Sequence, residues 1–252
     1  MGSRAADLRH ALDPATLLRA WGLIPDAWQA DLLRERPQRA LLCCSRQAGK
    51  STTAAAACVH EALYQPGSLA LLFAPGQRQT VELLRTTRSL LAALQIPEEL
   101  RADSQQTLEF TNGSRIVALP AHPDTIRGYS AVTLIVLDEA AFVPDELYEA
   151  VRPMLAVSNG RLLGLSTPNG QRGWFHREWT SSAEWHRTQI TAAECPRISR
   201  DFLAQERRSM TAERYAAEYE CEFSDAIDSV FRHADITNAI DPTLTPLFTG
   251  GW

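Results

Sequence analysis

Apolar residues fall into two patterns along this chain. Short apolar runs occur at Ala40–Cys44, Ser68–Ala74 and Val132–Leu137, and together with Arg161–Leu165 and Trp185–Ile190 they predict five strands, the first of them buried. Between them lie stretches with helical spacing. Lys50–Leu63 is alanine-rich, and Gln79–Leu94 places Val81, Leu84, Leu91 and Leu94 on one side. Asp145–Val151 and Arg172–Ser181 predict shorter helices. Ser199–Glu220 predicts two, the second starting at Thr211 with Glu213 as a partial cap. Thr107–Phe110 and Arg115–Leu119 flank Asn112-Gly113, a strong hairpin signal. Residues 1–38 read as short helices starting at Asp13-Pro14 and Pro25-Asp26. Strands that alternate with helices predict an α/β fold: a mostly parallel central sheet with helices on both faces. The helical N-terminal segment then covers 1–38, the core with its C-terminal helical part covers 39–240, and the Pro-, Thr- and Gly-containing stretch 241–252 reads as a linker.

Composition narrows the class. With 252 residues, 45% of them hydrophobic and 22% charged, the chain has enough apolar surface for a full core and is not disordered. No apolar run reaches membrane-spanning length, and MGSRAADLRHALD lacks the apolar stretch of a secretory signal. The 5 cysteines form no CxxC pair, which argues for reduced thiols and against a zinc site. A net charge of -5 excludes bulk polyanion binding by charge alone, so any nucleic-acid contact needs a local patch. Among the 25 Lys+Arg residues Lys50 is the one lysine. Lysine differs from arginine where a compact charge must enter a tight phosphate pocket.

Lys50 sits in Leu41-Leu42-Cys43-Cys44-Ser45-Arg46-Gln47-Ala48-Gly49-Lys50-Ser51-Thr52, between a predicted strand and a predicted helix. That context marks a phosphate loop, whose backbone N–H groups and helix N-terminus bind phosphate oxygens. Ser45, Arg46, Gln47, Ala48, Gly49, Lys50, Ser51 and Thr52 are the candidate nucleotide-binding residues. Gly49 allows close approach, Lys50 reaches the β- and γ-phosphates, and the Ser51 hydroxyl serves Mg²⁺. The loop departs from the usual pattern at Cys44, where the first glycine normally stands. A second site is Asp138-Glu139, at the end of the run Val132–Leu137. Carboxylates at the C-terminal end of a buried parallel strand lie where such sheets bind ligands. Asp138 is the candidate for the Mg²⁺ shell, and Glu139 the group that takes a proton from the attacking water or orients it. Together the two sites point to nucleoside triphosphate hydrolysis on a P-loop NTPase fold.

These residues carry a family resemblance. The chain resembles the ATPase domain of the large terminase subunit of tailed double-stranded DNA phages over nearly its whole length. The ordered set is Ser45–Ser51 with its arginine, Ile126-Arg127-Gly128-Tyr129, Leu134–Glu139 followed by Ala140-Ala141-Phe142, Ser166-Thr167-Pro168-Asn169-Gly170, and Tyr219-Glu220-Cys221-Glu222-Phe223 with Ser229-Val230-Phe231. The resemblance implies Mg²⁺-dependent ATP hydrolysis that drives double-stranded DNA into a procapsid. It implies a homo-oligomeric, pentameric ring on the procapsid, with the isolated domain monomeric. The portal protein and the small terminase subunit are the implied partners, in the host cytoplasm and with no membrane. In the family an RNase H-like nuclease domain follows the motor. This chain stops at Gly250-Gly251-Trp252, where that domain would begin, so it reads as an excised motor domain without nuclease activity.

Further residues have two readings each. Trp28-Gln29 resembles the family's adenine-reading segment, since an amide can pair with adenine, or it is a surface Gln beside a core Trp. Arg46 either touches the γ-phosphate of its own subunit or stabilises the loop. Arg127 either reaches a neighbouring subunit's nucleotide as an arginine finger or forms a structural ion pair. Thr167 and Asn169 either sense the γ-phosphate and the attacking water or make an ordinary turn. Trp174, Trp179 and Trp185, with Arg172, Arg177 and Arg187, form either a DNA track or core aromatics. The histidines show no metal spacing. Two other functions remain open: a helicase-like translocase, which would need a second motor-like motif, and a non-hydrolysing ATP-gated DNA-binding or scaffold module, which would have no use for Glu139.

Overall fold

A computed structural model of the chain describes residues 4–94, 100–122, 126 and 128–224. Its centre is an 8-stranded sheet in the order β3-β4-β5-β2-β6-β7-β1-β8. The strands are β1 (Arg39–Cys44), β2 (Leu69–Ala74), β3 (Leu100–Asp103), β4 (Thr107–Phe110), β5 (Arg115–Pro120), β6 (Leu134–Asp138), β7 (Arg161–Ser166) and β8 (His186–Ile190). From β5 to β8 all neighbours are parallel, and β4 runs antiparallel to both β3 and β5. The mostly parallel sheet expected from the alternation of runs is therefore present. The edge strand β3 is not signalled by the sequence. Only Leu100 in it is partly covered and the next three residues are exposed, so pairing with β4 rather than a buried face holds it.

Alternation along each central strand divides the core into two layers. Ala40, Leu42 and Cys44 of β1, with Leu134 and Val136 of β6, face one layer. Leu41 and Cys43 of β1, with Ile135 and Leu137 of β6, face the other. This is the two-residue period of a strand buried on both sides. The first layer packs under α2 (Ala15–Ala20), α3 (Ala27–Glu35), α4 (Lys50–Tyr64) and α5 (Gln77–Leu94). The second packs under α6 (Asp145–Val151) and α7 (Gly173–Thr180). Helix α1 (Arg4–Leu12) precedes α2, and its side of the molecule is tied to α4 by Tyr64 Oη donating to Asp7 Oδ1 at 2.8 Å and by the His60 ring against the Ala11 carbonyl at 3.2 Å. Helix α8 (Arg200–Ser209) and the four-residue α9 (Ala212–Tyr215), capped by Thr211, follow β8, and α9 runs on into a π-helical turn at Ala216–Glu220.

The tryptophan-rich stretch belongs to the core. Trp174 is fully buried and stacks on Tyr148 with ring centroids 4.2 Å apart, while Trp179 and Trp185 pack against the same layer. The neighbouring arginines are occupied too: Arg177 pairs with Asp145 at 2.9 Å, and the Arg187 guanidinium donates to the carbonyls of Glu178, Ser181 and Ala183. At the amino edge of the sheet, the buried Glu61 carboxylate accepts from Arg36 at 2.8 Å and from Arg161 at 3.1 Å. No helix among the described residues is long and apolar enough to cross a membrane.

Candidate functional site

The site lies at the carboxyl edge of the sheet because three strand ends come level there. Cys43 of β1 pairs with Ser166 of β7, and Asp138 of β6 pairs with Leu165. Strand β7 thus stands between the strand that enters the phosphate loop and the strand that ends in the carboxylates. Thr167, next after β7, is buried at the wall of an open cleft of about 1200 Å³. The cleft is lined by Arg46 to Thr52, by Glu139, Phe142 and Thr167, and by Leu23, Ile24, Asp26 and Gln29. Ligand pockets run roughly 300–1,000 Å³, so a nucleotide-sized molecule has ample room.

The loop is anchored at its start and open afterwards. Ser45 N–H donates to the Ile190 carbonyl at 2.9 Å and Arg46 N–H to the Glu218 carbonyl at 3.2 Å. By contrast, the N–H groups of residues 47 to 52 find no acceptor among the described residues. They lead into α4, a helix of 15 residues whose N-terminus carries partial positive charge. Unpaired donors in a row at a helix start are a ready anion site. The Lys50 ammonium donates to the carbonyls of Cys44 at 3.1 Å and Ser45 at 3.3 Å, so it is held over the loop with donor capacity left. Gly49 has φ 95°, a left-handed conformation that favours glycine, and a Cβ there would lie 2.8 Å from Gln29 Nε2 and displace that amide.

The acidic side is built from strain and burial. Asp138 is 8% exposed; its Oδ2 accepts from Ser51 Oγ at 3.3 Å and its Oδ1 from Glu139 N–H at 3.1 Å. Burial first, and the neighbouring Glu139 second, push its carboxyl up to about 6. Glu139 takes a left-handed conformation, φ 49°, at the start of a 3₁₀ turn at Ala140–Phe142. A side chain held there has a measurable backbone cost, and such outliers cluster at functional sites. The turn is tied to the end of β7: Ala141 N–H donates to Ser166 Oγ at 3.1 Å, and Asn169 Nδ2 donates to the Ala141 carbonyl at 3.3 Å.

The structure therefore gathers Arg46, Gln47, Ala48, Gly49, Lys50, Ser51, Thr52, Glu139 and Thr167 at one cleft, with Asp138 behind Ser51 and the buried Ser45 beneath the loop. Arg46 reaches away from the loop to Glu218 at 2.8 Å, and its side chain is 61% exposed. An exposed pair of this kind is worth about 0–1 kcal/mol, so the guanidinium is readily surrendered to a better anion. Trp28 packs against the first core layer rather than lining the cleft. Gln29 is at the cleft, but its amide is committed within the protein. Nε2 donates to the Gly49 carbonyl at 3.3 Å and to Thr53 Oγ1 at 2.9 Å, and Oε1 accepts from Asp26 N–H at 2.9 Å. With both amide hydrogens spent, this geometry does not offer the donor–acceptor pair expected toward adenine. Arg127 lies outside the described residues, as do Ser229-Val230-Phe231 and the stretch 241–252.

Read from the sequence, Asp26 is only a helix start and Arg197 has no role, and their pairing at the site is missed. Arg197 grips the Asp26 carboxylate at 2.9 and 2.7 Å and also donates to the Ala48 carbonyl at 3.1 Å. The available signal was position. Arg197 follows β8, the strand beside β1, and residues just past parallel strand ends are those that meet at the ligand edge.

A family model described as "Terminase large subunit, T4likevirus-type, N-terminal" matches residues 41–238. Among curated proteins, the large terminase subunit of Thermus virus P23-45 is 29% identical over 180 residues, covering 62% of this chain and 36% of that protein. The large terminase subunit of Escherichia phage T5 is 27% identical over 238 residues, covering 89% of this chain and 53% of that protein. The chain thus spans about a third to a half of the length of these curated relatives. Among solved structures, the large terminase ATPase domain of Thermus phage P74-26 superposes with a TM-score of 0.72 at 23% identity, over 84% of this chain and 99% of that one. At that identity the likeness establishes the fold.

Proposed function

The chain belongs to the terminase large-subunit family through that family's N-terminal region, and from this we propose that it hydrolyses ATP and, in the virus, powers the packaging of double-stranded DNA. The observation that carries the reading is the row of unpaired N–H groups at residues 47 to 52, beside the Lys50 ammonium and facing Glu139 across one cleft. The N–H groups and Lys50 take the phosphates, and Arg46 leaves Glu218 for them. Ser51 and Asp138 are the residues that would hold Mg²⁺. They fit it, because a hydroxyl and a buried carboxylate 3.3 Å apart present hard oxygen donors, and the acid is poorly stabilised by the protein alone. When bound, the cation offsets phosphate charge. Glu139 receives the proton of the water whose oxygen attacks the γ-phosphorus, the bond to the β–γ bridging oxygen breaks, and ADP and phosphate leave. Ser166 and Asn169 hold the turn that follows Glu139, and Thr167, at the cleft, senses the γ-phosphate or the attacking water with Asn169 and relays its state into the sheet. Arg127, which precedes Gly128 in the sequence ahead of β6, is the proposed arginine finger for a neighbouring subunit. The division into a helical N-terminal segment over 1–38, a motor core over 39–240 and a linker over 241–252 fits this role. So do a ring at the procapsid in the host cytoplasm and portal and small-subunit partners.

The test is phosphate release from Mg·ATP by the purified chain over a range of protein concentrations. A rate rising more steeply than concentration is expected, since a finger supplied by a neighbour completes the site only on association. Lys50→Ala should lower turnover by about 10²–10³-fold. Turnover unchanged by that substitution would remove the phosphate loop, and with it the motor reading.

A further inference from the structure

We infer that the Arg197–Asp26 pair is a positioning device: it sets the span between the phosphate loop and the apolar wall on which the base of a bound nucleotide rests. The inference rests on the nucleotide-hydrolysis reading above and adds to it how the base end of the site is held. One guanidinium joins three segments far apart in the chain. Its two terminal nitrogens take the two oxygens of Asp26 at 2.9 and 2.7 Å, and one of them also donates to the Ala48 carbonyl of the loop at 3.1 Å. Such a fork fixes orientation as well as distance, which a lysine would not.

Each partner sits where a shift would be felt. Asp26 is the N-cap of α3 and follows Gly22, Leu23, Ile24 and Pro25. Leu23 and Ile24 line the cleft with Pro196, and Ile24 is 89% exposed there. The polar atoms of Gln29 are spent on Asp26, Gly49 and Thr53, so a base meets mainly apolar contact at this wall, and apolar contact depends on separation. On the loop side, the Ala48 and Gly49 carbonyls are drawn toward Arg197 and Gln29. In a trans peptide the N–H points opposite to the C=O, so the N–H groups of Gly49 and Lys50 turn away from Arg197 and Gln29 and stay free for an anion. The same clamp therefore aims the anion site and spaces it from the base wall. A ligand with phosphates and no base uses only the first of these.

The experiment is calorimetric titration of the parent chain, Arg197→Ala, Asp26→Asn and the double variant with Mg·ADP and with Mg·tripolyphosphate. Asparagine keeps the cap oxygen for α3 and loses only the charge that Arg197 grips. Each single variant should weaken Mg·ADP by about tenfold, the scale of a charged hydrogen-bonded pair, and Mg·tripolyphosphate by less than about threefold. The double variant should be no weaker than the worse single, as two ends of one interaction. Equal losses for the two ligands, additive losses in the double variant, or no loss at all would each overturn the positioning role while leaving hydrolysis intact. A parent chain that binds neither ligand would overturn both readings.

Discussion

Replacing Asp138 with asparagine should make the ligand-free protein more stable while removing its activity. Asp138 is 8% exposed, and burial together with Glu139 raises its carboxyl from 3.8 to about 6. That shift already includes the attraction of Lys50 and the hydrogen bonds from Ser51 and Glu139. A rise of this size means that the ionised form costs the fold roughly 3 kcal/mol at neutral pH. The sign follows from proton binding. Between 3.8 and about 6 the folded chain holds a proton the unfolded chain has released. The contribution of protonated Asp138 is complete below that window and is lost as pH rises through it. Asparagine is neutral throughout and has nearly the same shape. In metal-free buffer with a chelator at pH 7.5, Asp138→Asn should therefore unfold several degrees higher than the parent, at about 2–4 °C per kcal/mol for a domain this size. At pH 5 the gap should shrink by about half. A variant less stable than the parent at pH 7.5, or a gap unchanged at pH 5, would refute the claim that burial strains this carboxylate. The same substitution should abolish ATP turnover, because a neutral amide is a poor Mg²⁺ donor. A site that keeps an acid where the fold resists it trades stability for function.

Glu139→Gln should keep binding Mg·ADP and lose about 10²–10⁴-fold in turnover, measured by phosphate release, since only the proton acceptor is removed. Glu61→Ala should cost about 3–5 kcal/mol in urea unfolding, because Arg161, 10% exposed, would be left buried without its carboxylate; a change below about 1 kcal/mol would show that Arg36 and Arg161 find other partners. His60 is held neutral by burial, its ring lowered to about 4 from 6.5. Its contribution is thus present above 6.5 and lost as pH falls toward 4, the opposite sense to Asp138. His60→Gln should lose less stability than the parent between pH 7 and pH 5, read from urea midpoints, and equal losses would show that His60 does not drive the acid response.

Much of this protein was legible in the residues because it depends on short-range chemistry. Runs such as Ala40–Cys44 and Ser68–Ala74, too short for a typical helix and apolar on both faces of a strand, became β1 and β2, bounded much as expected. Asn112-Gly113 closes the hairpin between β4 and β5, where Gly113 takes φ 84°. Gly49-Lys50-Ser51 opens α4, and Asp138-Glu139 ends β6, each within a residue of its motif. The folded chain alone decided what crosses between elements. The insertion of β7 between β1 and β6, which puts Thr167 beside both acids and loop, is a choice among strand orders that the same runs would permit. The Gln29 amide turned to the loop instead of a base because Asp26 and Thr53 lay within its reach after packing. The grip of Arg197 on Asp26 spans 171 positions, and that of Arg46 on Glu218 spans 172. Periodicity and turn preference act over a few residues, whereas ion pairs and strand neighbours are set by which surfaces the whole core brings together.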